Sequence, residues 1–220
     1  MEPNQIDSNM NINQLMEGLR NTASGLNFRE GFKLLYCPYS LMNGDTRILF
    51  LSLNPGYAPS HFNKESVSDE RGNSYEVELS ETSSPLNRQF IELIQLLGIS
   101  SDEVLTGAYV PFRTDRWSDL SKHQEKKSLE IANAFWNPLI ARHPLTICCG
   151  NTVFEDVYRN LRSKGAVKKI HSGWGNASIK ICNHHSNHVI GLPHLSSYRL
   201  LSNERSRRVL VKLLSDISVR

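Results

Sequence analysis

Two residue types placed just after apolar runs give this sequence its chemical interest. Asn54 opens Asn54-Pro55-Gly56 directly behind Ile48-Leu49-Phe50-Leu51-Ser52-Leu53, and His194 sits in Pro193-His194-Leu195 behind the run His188 to Leu192. An amide can hold a water through its carbonyl oxygen but cannot take the water's proton at neutral pH; an imidazole can donate a hydrogen bond to a carbonyl oxygen. Gly150-Asn151 and Ser196-Ser197 stand where helices are predicted to begin. Backbone N–H groups suit phosphate there, although helix capping explains the same serines. His184-His185-x-x-His188 tempts a zinc reading, but the spacing fits no strong metal signature and no carboxylate adjoins it, so no metal is expected.

The elements that must position these residues follow from periodicity. Residues 12 to 24 carry Ile12, Leu15, Met16 and Leu19 at helix spacing, as an N-terminal helical extension over residues 1–27. Residues 28 to 46, with Gly31, Pro38 and Asn43-Gly44, read as irregular or hairpin. A strand over Ile48–Leu53 is followed by a polar stretch, Ser60 to Ser84, that reads as a long surface excursion. Ser84-Pro85 opens a helix whose apolar stripe includes Phe90, Ile91, Leu93, Ile94 and Leu97, stopped by Gly98. Then come a strand over Val104–Val110, a helical region over Leu120–Arg142 and a strand over Leu145–Cys149. A helix from Gly150 to about Arg162, short strands at Ile179–Cys182 and His188–Leu192, and a last helix over Tyr198–Leu214 capped by Ser196-Ser197 complete the chain.

Strands separated by helices imply a three-layer α/β/α sandwich around a mostly parallel sheet of about four strands. The 220 residues make one domain. Ligands of such sheets bind at the carboxyl ends of the strands. Asn54-Pro55-Gly56, Pro111-Phe112-Arg113, Gly150-Asn151 and Pro193-His194-Leu195 should therefore line one cleft.

Composition excludes more than it assigns. No stretch approaches the roughly 20 apolar residues of a membrane span. The polar N-terminus has no signal pattern, so a cytoplasmic monomer without membrane contact is expected. Cys37, Cys148, Cys149 and Cys182 form no CxxC pair and read as buried structural thiols. The net charge of +3 says little about nucleic acid. Arg199, Arg205, Arg207, Arg208 and Lys212 do crowd the C-terminal segment, where a solvated helix face explains them taken alone.

The strand ending in Asn54-Pro55-Gly56 resembles the first motif of the mismatch-specific branch of the uracil-DNA glycosylase superfamily, a strand followed by G-[IL]-N-P-G. Pro85-Leu86-Asn87-Arg88-Gln89-Phe90 is similar to the P-x-N-R-F-W that opens the next helix in that branch. His194-Leu195-Ser196-Ser197-Tyr198-Arg199 resembles the H-P-S-P-L-S-x-Y-R motif of the uracil-specific branch, two residues shorter if His194 is the family histidine. Aligning Leu195 and Ser197–Arg199 instead puts His194 where a proline is expected; the strand-end alignment is preferred because it lets His194 point into the cleft. The likeness spans about residues 45 to 214. The absence of spaced cysteines near the ends separates the chain from the iron–sulfur branches, so no cofactor is expected.

The resemblance implies a monofunctional DNA glycosylase that flips a base out of DNA, double- or single-stranded, and leaves an abasic site. It implies Asn54 as the residue holding the attacking water and His194 as the donor to the departing base. Pro55, Gly56, Tyr57 and Phe112 would shape the base pocket. Leu195 would be the wedge filling the vacated stack, unless it is a core leucine. Ser196, Ser197, Arg199, Gly150 and Asn151 would meet the DNA backbone. No lysine lies in the four loops, so lyase chemistry is not expected. In the uracil-specific branch a tyrosine stands at the position of Gly56 and blocks substituents at C5; glycine implies a mismatched or C5-modified pyrimidine, including hypermodified phage cytosine. A repair or an antiviral setting is open. So are two rivals: a catalytically weak module that binds modified DNA, and a nucleoside or nucleotide hydrolase.

Overall fold

The computed structural model describes residues 10–56, 63–79, 81, 84–161 and 165–217. In chain order the helices are α1 (Ile12–Gly25), α2 (Ser74–Val77), α3 (Pro85–Leu97), α4 (Lys122–Arg142), α5 (Asn151–Asn160) and α6 (Glu204–Asp216). The strands are β1 (Phe32–Lys33), β2 (Ile48–Ser52), β3 (Glu65–Ser66), β4 (Val104–Ala108), β5 (Leu145–Cys149), β6 (Lys168–His171), β7 (Ser178–His184) and β8 (Asn187–Leu192). Six strands form the central sheet in the order β4-β2-β5-β8-β7-β6. The first four run parallel, and β7 and β6 extend the sheet antiparallel. The architecture is the expected mostly parallel α/β sheet flanked by helices, with more strands than the four anticipated. Among the described residues, no helix is long and apolar enough to cross a bilayer.

Strands β2, β4 and β5 are buried at every position, which is why they read as mostly apolar runs, broken only by Ser52, Thr106, Gly107 and Thr146. Their side chains still sort by face. Leu49, Leu51, Leu105 and Cys148 join Leu15, Leu19, Phe135, Trp136, Phe154 and Val157 of α1, α4 and α5 in one core. Ile48, Phe50, Ile147, Cys149 and Ile190 join Tyr75, Phe90, Leu93, Leu210 and Leu213 of α2, α3 and α6 in the other. The four cysteines are buried and free, as expected.

Two glycines let helices approach the sheet closely. A Cβ on Gly107 would lie 2.6 Å from Cη2 of Trp136, and one on Gly191 would lie 2.6 Å from Cγ of Phe154. Both rings are fully buried and cannot retreat. Gly191→Ala is therefore expected to cost about 2 kcal/mol or more through overpacking, measurable as a lowered urea midpoint at unchanged slope.

Three sequence expectations are corrected. The last helix starts at Glu204 and is capped by Asn203, whose side chain accepts from the Ser206 N–H; Ser196 and Ser197 cap nothing. Strand β6 was not expected, because Lys168, Lys169 and His171 are exposed and give it no apolar alternation. The excursion from 60 to 84 is not a surface loop over its described part, 63–79: Val67, Asp69, Asn73, Ser74 and Tyr75 are buried there. Its polar groups satisfy one another, which is how a segment poor in apolar residues can pack. Asp69 accepts from Arg71, from Ser74 Oγ at 2.8 Å and from Lys33 Nζ at 3.3 Å. Burial alone would raise its pKa, but these partners together hold it well below the usual carboxylate range.

Candidate active site

Ala108, Ser52, Cys149 and Leu192 stand in one row across β4, β2, β5 and β8. Past this row the chain leaves the sheet, so Asn54 and His194 each lie two residues beyond the same level. With neighbouring strands about 4.8 Å apart, the ends of β2 and β8 are roughly 10 Å apart. Only the end of β5 lies between them, and there the chain carries Gly150.

The amide of Asn54 is oriented. Its Nδ2 donates to the carbonyls of Pro55 at 3.0 Å and Thr114 at 3.5 Å, and among the described residues Oδ1 has no hydrogen-bond partner. Two carbonyls cannot face an amide oxygen, so the amide is held with Nδ2 toward them, and its Oδ1 retains acceptor capacity of the kind that holds a water. Behind the turn, Arg113 is 9% exposed and donates from Nη1 to the Gly56 carbonyl at 2.8 Å and from Nε to the Lys64 carbonyl at 3.1 Å. Its side chain therefore fixes the Asn54-Pro55-Gly56 turn from below. Sequence reasoning placed Arg113 in a cleft segment but gave it no role.

His194 is equally constrained. Its Nδ1 lies 2.7 Å from Ser196 Oγ and accepts from the Ser196 N–H at 3.3 Å. A backbone N–H can only donate, so Nδ1 carries the lone pair and Nε2 carries the proton. Burial lowers the pKa of this imidazole and keeps it neutral. The ring rests on Gly150, where a Cβ would come within 3.2 Å of Cδ2 and where φ is +115°. Only glycine serves at that position.

Neutrality gives stability a pH dependence. Burial also lowers the pKa of His143, with Nδ1 2.6 Å from the Leu139 carbonyl and Nε2 2.8 Å from Thr46 Oγ. Both folded-state values lie below that of the unfolded chain, so the unfolded state binds protons first as pH falls. Stability should be fully present above the ordinary histidine value near 6.5 and decline below it. Urea unfolding at pH 7.5, 6.5 and 5.5 checks this, and His143→Gln should flatten the decline.

The loop after His194 differs from expectation. The N–H groups of Ser197 and Tyr198 both bond to the His194 carbonyl, at 2.9 and 3.0 Å. That turn folds Leu195 inward, where it is fully buried and its N–H meets the Cys149 sulfur at 3.4 Å. Leu195 is thus a core leucine here and not an exposed wedge. Burial pushes the Cys149 thiol up to about 12, so it stays protonated and inert. Ser196 orients His194 in place of capping a helix, while Ser197, Tyr198 and Arg199 face outward.

Gln89 of α3, 2% exposed, holds this loop. Its Nε2 donates to the carbonyls of Leu195 and Tyr198, and its Oε1 accepts from the Leu201 N–H at 3.0 Å. The residue stands inside the quoted helix motif, yet nothing in the sequence says its partners lie more than a hundred residues away.

Phe112 is not in the cleft. It is fully buried and stacks on Phe28 with ring centroids 4.6 Å apart, because the chain after β4 pairs with the segment around β1, Phe112 bridging to Phe32. Pro55 is buried and Gly56 exposed; Tyr57 lies outside the described residues. Gly56 is not in the left-handed region, and among the described residues a Cβ there would meet nothing within 4 Å. Asn151 begins α5, whose first turn has no side-chain cap. His184 and His188 flank the β7–β8 turn at the opposite end of the sheet, and among the described residues no three His, Cys, Asp or Glu side chains are grouped to hold a metal. No family model and no curated protein matches the sequence.

Proposed function

We propose that this protein is a monofunctional DNA glycosylase that hydrolyses the N-glycosidic bond of a flipped, C5-substituted or mismatched pyrimidine. One observation carries the reading: Asn54, whose amide oxygen has no hydrogen-bond partner among the described residues, and His194, whose Nδ1 accepts and so leaves the proton on Nε2, follow strand ends roughly 10 Å apart, with the end of β5 at Gly150 between those strands. Hydrolysis of a glycosidic bond passes through an oxocarbenium-like sugar. The bonding pair leaves with the base, whose carbonyl oxygen gains charge that His194 Nε2–H stabilises. Water held on Asn54 Oδ1 then joins C1′, and its proton passes to solvent or the departing base. An amide cannot deprotonate the water, so leaving-group stabilisation carries most of the catalysis. None of the strand-end segments 54–56, 111–113, 150–151 and 193–195 carries a lysine, which favours hydrolysis over Schiff-base chemistry.

The test is release of base from oligonucleotides bearing uracil, thymine opposite guanine, or C5-modified cytosines, read by alkaline scission at the abasic site. Cleavage of at least one substrate under single turnover is expected. Tight binding without release from every substrate would make the chain a binding module.

Gly56 bears on the choice of base. The turn does not require glycine, and a Cβ there meets no described residue within 4 Å. Gly56→Tyr is expected to fold normally and to lose at least about tenfold in rate on C5-modified pyrimidines, with unmodified uracil affected less than threefold. Equal loss on both would place the breadth of the pocket elsewhere.

A further inference from the structure

A groove of about 420 Å³ opens between the first turns of α5 and the β6–β7 hairpin. Lys169 and Lys180 face each other in register across that hairpin, and both line the groove. Asn151, Asn176, Ser178 and Tyr198 complete its polar wall, and His194 borders it. No carboxylate is among the lining residues. Lys180 is committed to Glu155 at 2.5 Å, whereas Lys169 has no carboxylate partner among the described residues. Asn151, the first residue of α5, lines the same space, and the first turn of that helix has no side-chain cap. Ammonium, amide and hydroxyl donors, with the adjoining Glu155 carboxylate engaged by Lys180, make a lining suited to a phosphate.

The groove starts at His194 and continues over β7 toward β6, roughly 10 Å beyond β8. A nucleotide seated between Asn54 and His194 would extend its strand along this row. We infer that the groove binds a backbone phosphodiester next to the target nucleotide, with Lys169 as its free cation. The location on the strand rests on the glycosylase reading; the anion chemistry does not.

Two measurements on the full chain test it. Inorganic phosphate, titrated while backbone amides are followed by NMR, should shift Asn151, Thr152 and Val153, and Lys169→Glu should weaken that binding at least tenfold. Anisotropy with an oligonucleotide carrying one abasic-site analogue should show Lys169→Glu binding at least tenfold more weakly, with a salt slope lower by about 1 to 2. A single methylphosphonate beside the analogue should weaken the wild type and leave the variant unaffected. Lys169 is exposed on an edge strand, and Lys169→Gln, matched to wild type in thermal unfolding, controls for folding. Absence of phosphate-induced shifts, or oligonucleotide affinity within twofold of wild type in Lys169→Glu, would overturn the assignment. Phosphate binding without any methylphosphonate effect would overturn the backbone role in favour of a free anion. Failure of base release with these binding results intact would remove the glycosylase reading and keep the phosphate site.

Discussion

Replacing Asn54 by alanine is expected to slow base release by about 10²–10³-fold while changing DNA affinity less than threefold. The side chain offers one oxygen to the cleft and spends its nitrogen on the Pro55 and Thr114 carbonyls. On the proposed glycosylase reading, alanine removes the water's holder and no phosphate contact. The two lost hydrogen bonds are local and partly solvated, worth about 1 kcal/mol each at most, so the fold should persist. Single-turnover rates on a cleaved substrate, beside anisotropy on an uncleavable analogue, separate the two effects. A rate within threefold of wild type would remove Asn54 from the mechanism and leave it a turn residue.

The second large effect belongs to His194→Ala. Losing one preorganised donor to a developing oxyanion costs about 3 kcal/mol, or roughly 100–200-fold in rate. The loss should depend on the leaving group. A base carrying an electron-withdrawing substituent departs with its charge already dispersed, so its rate should fall several-fold less. A histidine that only supported the loop would give the same loss for every base. Ser196→Ala should reproduce part of the defect, because Ser196 Oγ stands 2.7 Å from Nδ1 and helps fix the ring.

The sheet and most helices were legible because burial on both faces writes an apolar run into the sequence. Ile48 to Ser52 and Leu145 to Cys149 are such runs, and Gly98 ends α3 at φ +66° as a left-handed cap. Strand β6 was illegible for the opposite reason: an edge strand with solvated lysines carries no such pattern. The positions of Asn54 and His194 followed from strand ends alone. Whether an apolar residue in the adjoining loops faces solvent or core does not, since hydrophobicity is compatible with either; Leu195 and Phe112 both went inward. Arg113 and Gln89 escaped notice because their partners are backbone carbonyls and amides distant in sequence, which leave no mark on composition or spacing.

The three bonds from Gln89 to the loop after His194 have a consequence for anyone altering substrate choice. The histidine takes its position from α3 as much as from its own strand, so the two are one inherited unit. Grafting a foreign loop after β8 without the matching residue on α3 would strand the Leu195 carbonyl and the Leu201 N–H, both in buried residues, and free the Tyr198 carbonyl. Chimeras should exchange residues 85–97 together with 193–203, and libraries that vary one segment alone will mostly recover misplaced imidazoles.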